Sequence, residues 1–309
     1  MVGHWDAATA EVIDRGPLQG TRQRLGPVAG CARLSLSRYR LGPGERAMPV
    51  HVHADEEELF VVLGGEGLSW QDGRVHAVRE GDFILHRAGA EPHTIVGAGA
   101  GLDVLAFASG SDTNLTWLPR AGTFWAGPHW IPHDGPSPFE AEAAAGPLEL
   151  AAPEPASARP PTIRRIEDMP AKPWGEGDVR AVRHVVGGAL GTVRSGMQET
   201  RVQPGRLSSP PHHHSSVEEL FVVLGGDGVC ILDGDEHPVR RGSIVARPPA
   251  TRVAHTFRAG DDGLWMLAYS DRALGDMCFY PRSQMVGLLG IQAYFRLEPV
   301  GYWEAEGVF

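Results

Sequence analysis

Residues 51–65 read His-Val-His-Ala-Asp-Glu-Glu-Glu-Leu-Phe-Val-Val-Leu-Gly-Gly, and residues 212–226 read His-His-His-Ser-Ser-Val-Glu-Glu-Leu-Phe-Val-Val-Leu-Gly-Gly. Matched positions in the two stretches differ by 161, the difference between 212 and 51. Both copies keep a His-x-His pair and a carboxylate ahead of a hydrophobic strand. A repeat of this length indicates two copies of one domain, because solenoids repeat units of a few tens of residues.

The similarity continues downstream of these stretches. The turn Asp72-Gly73 matches Asp233-Gly234 at the same offset, and after it the offset becomes 162, so that His93 pairs with His255. Each copy therefore runs for roughly 100 residues or more, which is enough for one compact domain. The repeat predicts a first domain with an N-terminal extension over residues 1–133 and a second domain with a C-terminal tail over residues 163–309.

The segment between the copies, residues 134–162, is rich in Pro, Ala and Glu. Few of its residues are suited to anchoring a core, so we expect a linker between the two domains. Within it, residues 140–145 favour a short helical turn.

The composition and the turn signals indicate an all-β protein. The chain contains 40 Gly and 25 Pro, and sustained helical periodicity is scarce. The two Asp-Gly turns each join strand-like runs and predict β-hairpins. Residues 59–63 and 220–224 are apolar at every position, which predicts strands covered on both faces, by the barrel interior and by the other domain. The expected fold is two tandem antiparallel β-barrels, or jelly rolls, joined by the Pro/Ala-rich linker.

Four residues of each copy are of metal-binding type. His-x-His places two imidazoles on the same face of a strand, because residues i and i+2 share a face. A glutamate then begins the next strand, and a further histidine downstream supplies a fourth ligand. The predicted sets are His51, His53, Glu58 and His93 in the first copy and His212, His214, Glu219 and His255 in the second. Three imidazoles and one carboxylate suit Fe, Mn, Ni, Cu, Co or Zn, and six-coordination leaves two positions for water, substrate or dioxygen.

Several other residues are matched or conspicuous. An inward-pointing arginine could hold a substrate carboxylate, although a structural ion pair is the simpler interpretation of each matched pair. These pairs are Arg33 with Arg194, Arg40 with Arg201, and Arg120 with Arg282. Phe60, Val62, Phe221 and Val223 are in phase with the glutamates and are expected to line the pockets. His213 should point away from its two neighbours, and the stretch from Trp125 to His133 is expected to pack between the domains.

With these residues, the chain resembles the cupin superfamily, specifically a bicupin. The first cupin motif is matched by Gly44…His51-x-His53-x4-Glu58-x6-Gly65 and by Gly205…His212-x-His214-x4-Glu219-x6-Gly226, with one extra residue after the first Gly. The second motif is matched loosely, since Arg87 stands for Pro in the first copy and Ala250 for Gly in the second. The resemblance implies cupin β-barrels with a three-His, one-Glu metal centre in the mouth of each, and it leaves the reaction open.

The ligand sets favour a metal-dependent enzyme, with up to two metal ions per chain. The favoured activity is that of a non-haem Fe(II) dioxygenase, in which an anionic or chelating small-molecule substrate and dioxygen bind side by side. One alternative is a decarboxylase or isomerase that depends on Mn, Zn or Ni, and Cu is also compatible with the ligands. Another is a non-catalytic cupin that binds a metal or a small ligand. A decarboxylase of the oxalate type has the closest architecture, but its acidic lid segment and arginine-flanked first motif have no clear match here.

The composition limits the kinds of partner that the protein can bind. A net charge of −10 makes nucleic acid and anionic membrane surfaces poor partners. The N-terminus shows no basic region followed by an apolar run, and no apolar stretch reaches membrane-spanning length. Three cysteines at unmatched positions predict no disulfide framework and a reduced, cytoplasmic protein. We expect a monomer or a homodimer.

Overall fold

The computed structural model describes residues 2–111, 115–126, 129–131, 137–301 and 303–304. Two similar halves follow each other, and each half builds one large and one small antiparallel sheet. The two sheets of each half pack as a jelly roll, which confirms the all-β, two-barrel prediction. Helices are short. They are α1 (Gly26–Ala29), α2 (Pro138–Ala144) and α3 (Val186–Leu190), with 3-10 turns at Trp5–Ala7, Ala156–Ala158 and Ile166–Asp168.

Twelve strands lie within the described residues of the first part of the chain. They are β1 (Val2–His4), β2 (Ala10–Arg15), β3 (Leu18–Arg24), β4 (Ser35–Leu41), β5 (Val52–His53), β6 (Glu58–Gln71), β7 (Arg74–Arg79), β8 (Asp82–His86), β9 (His93–Ala108), β10 (Leu115–Leu118), β11 (Thr123–Ala126) and β12 (His129–Ile131).

The second part repeats the pattern. Its strands are β13 (Ile163–Arg165), β14 (Ala171–Trp174), β15 (Ala181–His184), β16 (Ser195–Val202), β17 (His213–His214), β18 (Glu219–Leu232), β19 (Asp235–Arg240), β20 (Ser243–Arg247), β21 (His255–Asp271), β22 (Met277–Tyr280), β23 (Met285–Leu288) and β24 (Ala293–Arg296). We call the half that contains β6 the first barrel and the half that contains β18 the second barrel.

The large sheet of the first barrel has the order β13-β8-β6-β9-β4-β3-β2, and that of the second has the order β1-β20-β18-β21-β16-β15-β14. The small sheets have the orders β12-β11-β10-β5 and β17-β22-β23-β24. The outermost strand of each large sheet comes from the other half of the chain. Val2 in β1 pairs with Val245 of the second barrel, and Ile163 in β13 pairs with Ile84 of the first. The two halves therefore exchange their first strands.

Both predicted hairpins are present. Asp72 and Gly73 connect β6 to β7 with φ angles of 46° and 84°, and Asp233 and Gly234 connect β18 to β19 with φ angles of 49° and 99°. Two consecutive left-handed residues define the hairpin turn whose twist matches that of the flanking strands, and Asp-Gly tolerates that conformation.

The uninterrupted apolar runs at the start of β6 and β18 have two buried faces, as the sequence predicts. Leu59 and Val61 belong to a core shared by both barrels, together with Leu220 and Val222 of the second. The alternate residues of the runs face inward: Phe60 and Val62 pack inside the first barrel, and Phe221 and Val223 inside the second. The interface between the barrels is thus a continuation of their hydrophobic cores.

The segment predicted to be a linker packs against the first barrel. Its helix α2 begins with a capping box between Ser137 and Glu140, and its Phe139 packs on the barrel core. Glu142 is completely buried, with one carboxylate oxygen 2.9 Å from Arg46 Nη1 and 3.0 Å from Arg120 Nε. Composition cannot reveal this docking, because it depends on arginines distant in sequence. The predicted limits at residues 133 and 162 stay a prediction, since residues 132–136 lie outside the described part.

Two further expectations concern the periphery. No helix within the described ranges has both the length and the apolar character needed to cross a membrane. The predicted packing of the stretch from Trp125 to His133 between the domains lies largely outside the described side chains.

Candidate metal centres

The structure brings the four predicted residues of the first barrel together. Glu58 Oε2 lies 3.1 Å from His51 Nε2, 3.6 Å from His53 Nε2 and 3.0 Å from His93 Nε2. All four side chains are nearly buried. We call this group the first cluster.

The second barrel contains an equivalent group, the second cluster. Glu219 Oε2 lies 3.7 Å from His212 Nε2, 3.3 Å from His214 Nε2 and 3.0 Å from His255 Nε2. Every residue that the repeat predicts to bind metal is thus found in one of two matched groups.

Backbone pairing explains why residues so far apart in sequence meet. His51 and His93 exchange backbone hydrogen bonds of 3.1 and 2.9 Å, and His212 and His255 do the same at 3.2 and 2.8 Å. Each glutamate is the first residue of its long strand, and each downstream histidine is the first residue of the neighbouring strand. The ligands therefore lie at the mouth of each barrel, where strands begin.

In each histidine of the first cluster, Nδ1 is the ring nitrogen that faces away from Glu58, and it has a hydrogen-bond partner. His51 Nδ1 lies 2.9 Å from the Pro49 carbonyl oxygen, His93 Nδ1 lies 3.2 Å from the Glu91 carbonyl oxygen, and His53 Nδ1 lies 2.9 Å from Thr116 Oγ1. A carbonyl accepts only from a protonated nitrogen, so the Nδ1 proton of His51 and His93 is fixed and the Nε2 lone pair faces the cluster. This is the tautomer that binds metal through Nε2.

The donor atoms fit a divalent cation. Two ligand atoms about 2.1 Å from one ion and at right angles to each other are about 3.0 Å apart, close to the observed separations. In the second cluster Glu219 Oε2 and His255 Nε2 are buried and form no well-aligned hydrogen bond, although they are 3.0 Å apart. A cation bound to both atoms would satisfy them.

His93, His255 and Glu58 have the protonation states that this assignment requires. Burial lowers the pKa of His255 to about 4, and it also lowers the pKa of His93, so both rings are neutral at neutral pH. Burial would raise the pKa of Glu58, but the neighbouring His53 and His51 hold it well below its ordinary value. Neutral imidazoles and an ionised carboxylate are the forms that bind a divalent metal. His214 is the exception among the assigned ligands: burial lowers its pKa, but Glu219 and Asp276 outweigh burial and raise the pKa to about 10, so a metal ion must displace its proton.

The two clusters differ in their supporting partners. His53 Nδ1 lies 2.9 Å from the neutral hydroxyl of Thr116 and 3.5 Å from Glu56 Oε2, whereas His214 Nδ1 lies 2.6 Å from Asp276 Oδ2. A carboxylate behind a metal-binding histidine makes the ring a more basic ligand. In the first barrel, His86 stacks on His93 with ring centroids 3.7 Å apart, and in the second barrel Arg247 occupies the equivalent strand position.

A cavity of about 590 Å³ adjoins the second cluster and is lined by His212, His214, Glu219 and His255 themselves. Its other walls include the aromatic side chains of Trp174, Phe221, Tyr280 and Tyr294. Two arginines also line it, the half-buried Arg183 and the exposed Arg272. Phe221 lines this cavity, as predicted, whereas Val223 packs in the core of the second barrel. Phe60 and Val62 pack in the core of the first barrel.

Three of the six arginines matched in the sequence form ion pairs with the other barrel or with helix α2. Arg33 Nη2 lies 2.6 Å from Asp271 of the second barrel, and Arg194 Nη1 lies 2.6 Å from Asp55 of the first, so these two form ion pairs between the barrels. Arg120 binds Glu142 of helix α2. His213 stacks on Phe279, with ring centroids 5.1 Å apart, and does not join the cluster, as predicted.

Sequence reasoning missed Arg183, although the sequence contained a signal for it. Arg183 and Arg22 differ by 161, the offset of the repeat, but they precede the motif and stand on strands β15 and β3. Asp276 was missed for a different reason: its matched position, residue 114, is Asn, so the repeat gives no signal there.

Comparison with known proteins agrees with this description. The family model described as "Cupin domain" matches residues 37–108 and 198–268. No curated protein matches the sequence. Among solved structures, an oxalate decarboxylase from Bacillus subtilis at pH 4.6 is similar with a TM-score of 0.60 at 17% identity, over 87% of this chain and 75% of that chain.

Two further similar structures concern the same kind of protein. One, on the substrate binding mode of oxalate decarboxylase, has a TM-score of 0.60 at 17% identity over 89% of this chain and 78% of that chain. The other, on the Mn(II) centres of the Bacillus subtilis enzyme, has a TM-score of 0.58 at 16% identity, again over 89% and 78%. At these identities the likeness concerns the fold. With a cupin match in each half and a bicupin shape overall, the chain is a bicupin of the cupin superfamily.

Proposed function

We propose that this bicupin is a metal-dependent enzyme that decarboxylates a small carboxylic acid at the second cluster, with Mn(II) as the favoured metal. The observation that carries the proposal is that three imidazoles and a carboxylate converge beside a cavity of about 590 Å³. The shape shared with oxalate decarboxylases supports decarboxylation over the other reactions open to this fold.

In this proposal His212, His214, Glu219 and His255 hold the metal. Bound there, the ion supplies a Lewis acid that draws electron density from the substrate's oxygen atoms. The protein supplies the rest. The apolar side chains of Phe221, Phe257 and Met266 line the cavity and exclude water, which strengthens every electrostatic interaction inside it.

Decarboxylation also requires a proton. The carbon–carbon bond to the carboxylate breaks, carbon dioxide leaves, and the electron pair that stays on carbon must take up a proton. We assign its source to Tyr280, which lines the cavity with its ring centroid 5.8 Å from that of His212. Burial raises the pKa of Tyr280, so the phenol keeps its proton at neutral pH until a strongly basic carbon accepts it. Water then restores the phenol.

The second candidate is the non-haem Fe(II) dioxygenase favoured by the sequence. The observation in its favour is the size of the cavity, which leaves room for an organic substrate and dioxygen side by side at the two remaining metal positions. The ligand set suits either metal. The two candidates differ in one measurable respect: a dioxygenase consumes oxygen in proportion to product, and a decarboxylase releases carbon dioxide without net oxygen consumption.

The test is a measurement of metal content by elemental mass spectrometry, followed by carbon dioxide release and oxygen uptake on a panel of carboxylic acids. Manganese with oxygen-independent release of carbon dioxide, abolished in His212→Ala, is the expected result. Stoichiometric oxygen uptake by the iron form would replace the proposal with the dioxygenase. A protein that binds no divalent metal would refute both.

A further inference from the structure

Two arginines line the second barrel's cavity, and Arg183 is the more buried of them, the other being the exposed Arg272. Arg183 is the third residue of β15 and lines the same cavity as His212 and Glu219. Its guanidinium carbon lies 3.9 Å from the centre of the Trp174 ring, and its Nη2 donates to the Ser208 carbonyl oxygen at 3.1 Å. Stacking on an indole fixes the plane of a guanidinium and leaves its edge free to donate to a bound anion.

The matched arginine of the first barrel has a different environment. Arg22 Nη2 lies 2.8 Å from Glu11 Oε2, and Arg22 also interacts with the hydroxyl of buried Tyr39. Glu11 is the residue opposite Arg22 in the β2–β3 register. In the first barrel the positive charge is therefore neutralised by the protein itself.

In the second barrel both of these partners are replaced. Lys172 stands opposite Arg183, where Glu11 stands opposite Arg22, and Thr200 takes the place of Tyr39. Within the described residues, no carboxylate lies within ion-pair distance of Arg183. Burial lowers the pKa of Arg183 to about 10, so the side chain is still charged at neutral pH. A charged guanidinium in a partly buried wall without a counter-ion is costly unless a bound anion neutralises it.

The charges in the cavity define a ligand class. A divalent ion held by one carboxylate keeps a net positive charge, and Arg183 adds a second positive centre on the same cavity. A ligand with two anionic groups satisfies both. Pockets of about 300–1,000 Å³ hold ligands well above the size of a two-carbon diacid, and this cavity falls in that range. Trp174, Tyr280 and Tyr294 on its walls suit a flat, unsaturated body between the two acid groups.

We propose that Arg183 binds a second carboxylate of the substrate, so that the second barrel accepts a dicarboxylic acid whose acid groups are joined by a flat apolar body. The proposal rests on the proposed function, because the first carboxylate is the one held at the metal. Arg22 gives the first barrel no such preference. A hydrogen-bonded guanidinium–carboxylate pair changes affinity by roughly tenfold or more.

The test uses isophthalate, which carries two carboxylates on a ring, and benzoate, which carries one. Binding of each is measured by isothermal titration calorimetry to the manganese-loaded wild type, to Arg183→Gln and to the matched control Arg22→Gln, with metal content recorded for all three. We expect Arg183→Gln to weaken isophthalate binding at least tenfold with little effect on benzoate, and Arg22→Gln to change neither.

A second arm separates the subsite from the metal. After removal of metal with a chelator, the positive charge of the metal ion is gone, so the remaining benzoate binding should be weak and should fall further in Arg183→Gln. Equal isophthalate affinity in the wild type and Arg183→Gln, at equal metal content, would overturn the subsite, as would a wild type that binds neither probe. A wild type without metal would refute the proposed function, while the metal-free arm would still decide whether Arg183 binds carboxylates.

Discussion

Glu57 and Glu218 occupy matched positions in the two barrels, and each crosses the interface to bind the backbone of the other. Glu57 accepts hydrogen bonds from the backbone N–H groups of residues 193, 194 and 195 at 2.8, 3.0 and 3.1 Å. Glu218 accepts from those of residues 32, 33 and 34 at 2.7, 2.7 and 2.9 Å. Both carboxylates are buried. Each immediately precedes the glutamate of a cluster, so successive residues of one chain segment serve the interface and the metal site.

Replacing Glu57 by Ala should destabilise the protein markedly, because several interface N–H groups then lose their acceptor. Leaving a buried donor unsatisfied costs about 1–3 kcal/mol, so we expect a loss of about 3 kcal/mol or more in the free energy of unfolding. Denaturant unfolding followed by circular dichroism measures it. The control is the exposed Glu176→Ala, which should stay within about 0.5 kcal/mol of the wild type. A similarly small effect of Glu57→Ala would show that the crossed carboxylates contribute little.

Each cluster should bind its own metal ion. The double variant His51→Ala/His53→Ala removes two ligands from the first cluster, and His212→Ala/His214→Ala removes two from the second. Elemental mass spectrometry should find one equivalent less in each than in the wild type, and no metal in the quadruple variant. Because the second cluster adjoins the cavity, activity should disappear with the second pair and persist with the first. Metal retained in the quadruple variant would contradict the ligand assignment.

The carboxylate behind His214 should strengthen metal binding at the second cluster. Asp276→Asn keeps an oxygen acceptor for His214 Nδ1 but removes the charge, and loss of such a supporting partner weakens metal affinity by about 10–100-fold. The measurement is a chelator titration in the His51→Ala/His53→Ala background, where only the second cluster is intact. The comparison substitution Thr116→Val, made in the background that lacks His212 and His214, removes the neutral hydroxyl behind His53 while Glu56 Oε2 remains 3.5 Å from the ring, and it should have the smaller effect. Unchanged metal affinity in Asp276→Asn would contradict the assignment of Asp276 as the partner that strengthens His214 as a ligand.

The three cysteines should be unreactive while the protein is folded. Burial raises the pKa of the thiols of Cys31, Cys230 and Cys278 from 9.0 to about 12. The thiolate is the reactive form, so labelling with an aromatic disulfide reagent at pH 8 should be slow in the native protein and complete for three thiols in denaturant.

The same shifts have a consequence for stability. As the pH rises above about 9, the thiols of the unfolded chain ionise first, because their folded-state pKa is higher. The free energy of unfolding contributed by these groups should therefore fall between about pH 9 and pH 12. Rapid native labelling at pH 8 would show that the thiols are more accessible than the structure has them.

The repeat made much of the fold predictable. Because the chain contains one domain twice, every ligand position is present in duplicate, and a His-x-His followed by a glutamate at the start of an apolar strand has few structural alternatives. The apolar runs at residues 59–63 and 220–224 correctly predicted strands buried on both faces. Strand exchange could not be predicted, since the three residues of β1 carry no pattern that distinguishes pairing with one barrel from pairing with the other.

The repeat could not predict the features in which the two sites differ. A search for matched residues finds what the copies share, whereas the contrast between Arg22 and Arg183 comes from their neighbours Glu11 and Lys172 across a strand. The docking of helix α2 was not predicted for a related reason. The buried carboxylate of Glu142 has meaning only beside Arg46 and Arg120, and only the folded chain brings the three together.

The exchange of first strands also constrains how the protein is made. The sheet of the first barrel is incomplete until residues 163–165 have been synthesised, so the first half cannot finish folding when its own sequence ends. The opening residues, 2–4, must wait for residues 243–245, which leave the ribosome long afterwards. The first barrel can therefore close only after synthesis of the second half has begun, and the second barrel closes later around a strand that was made first.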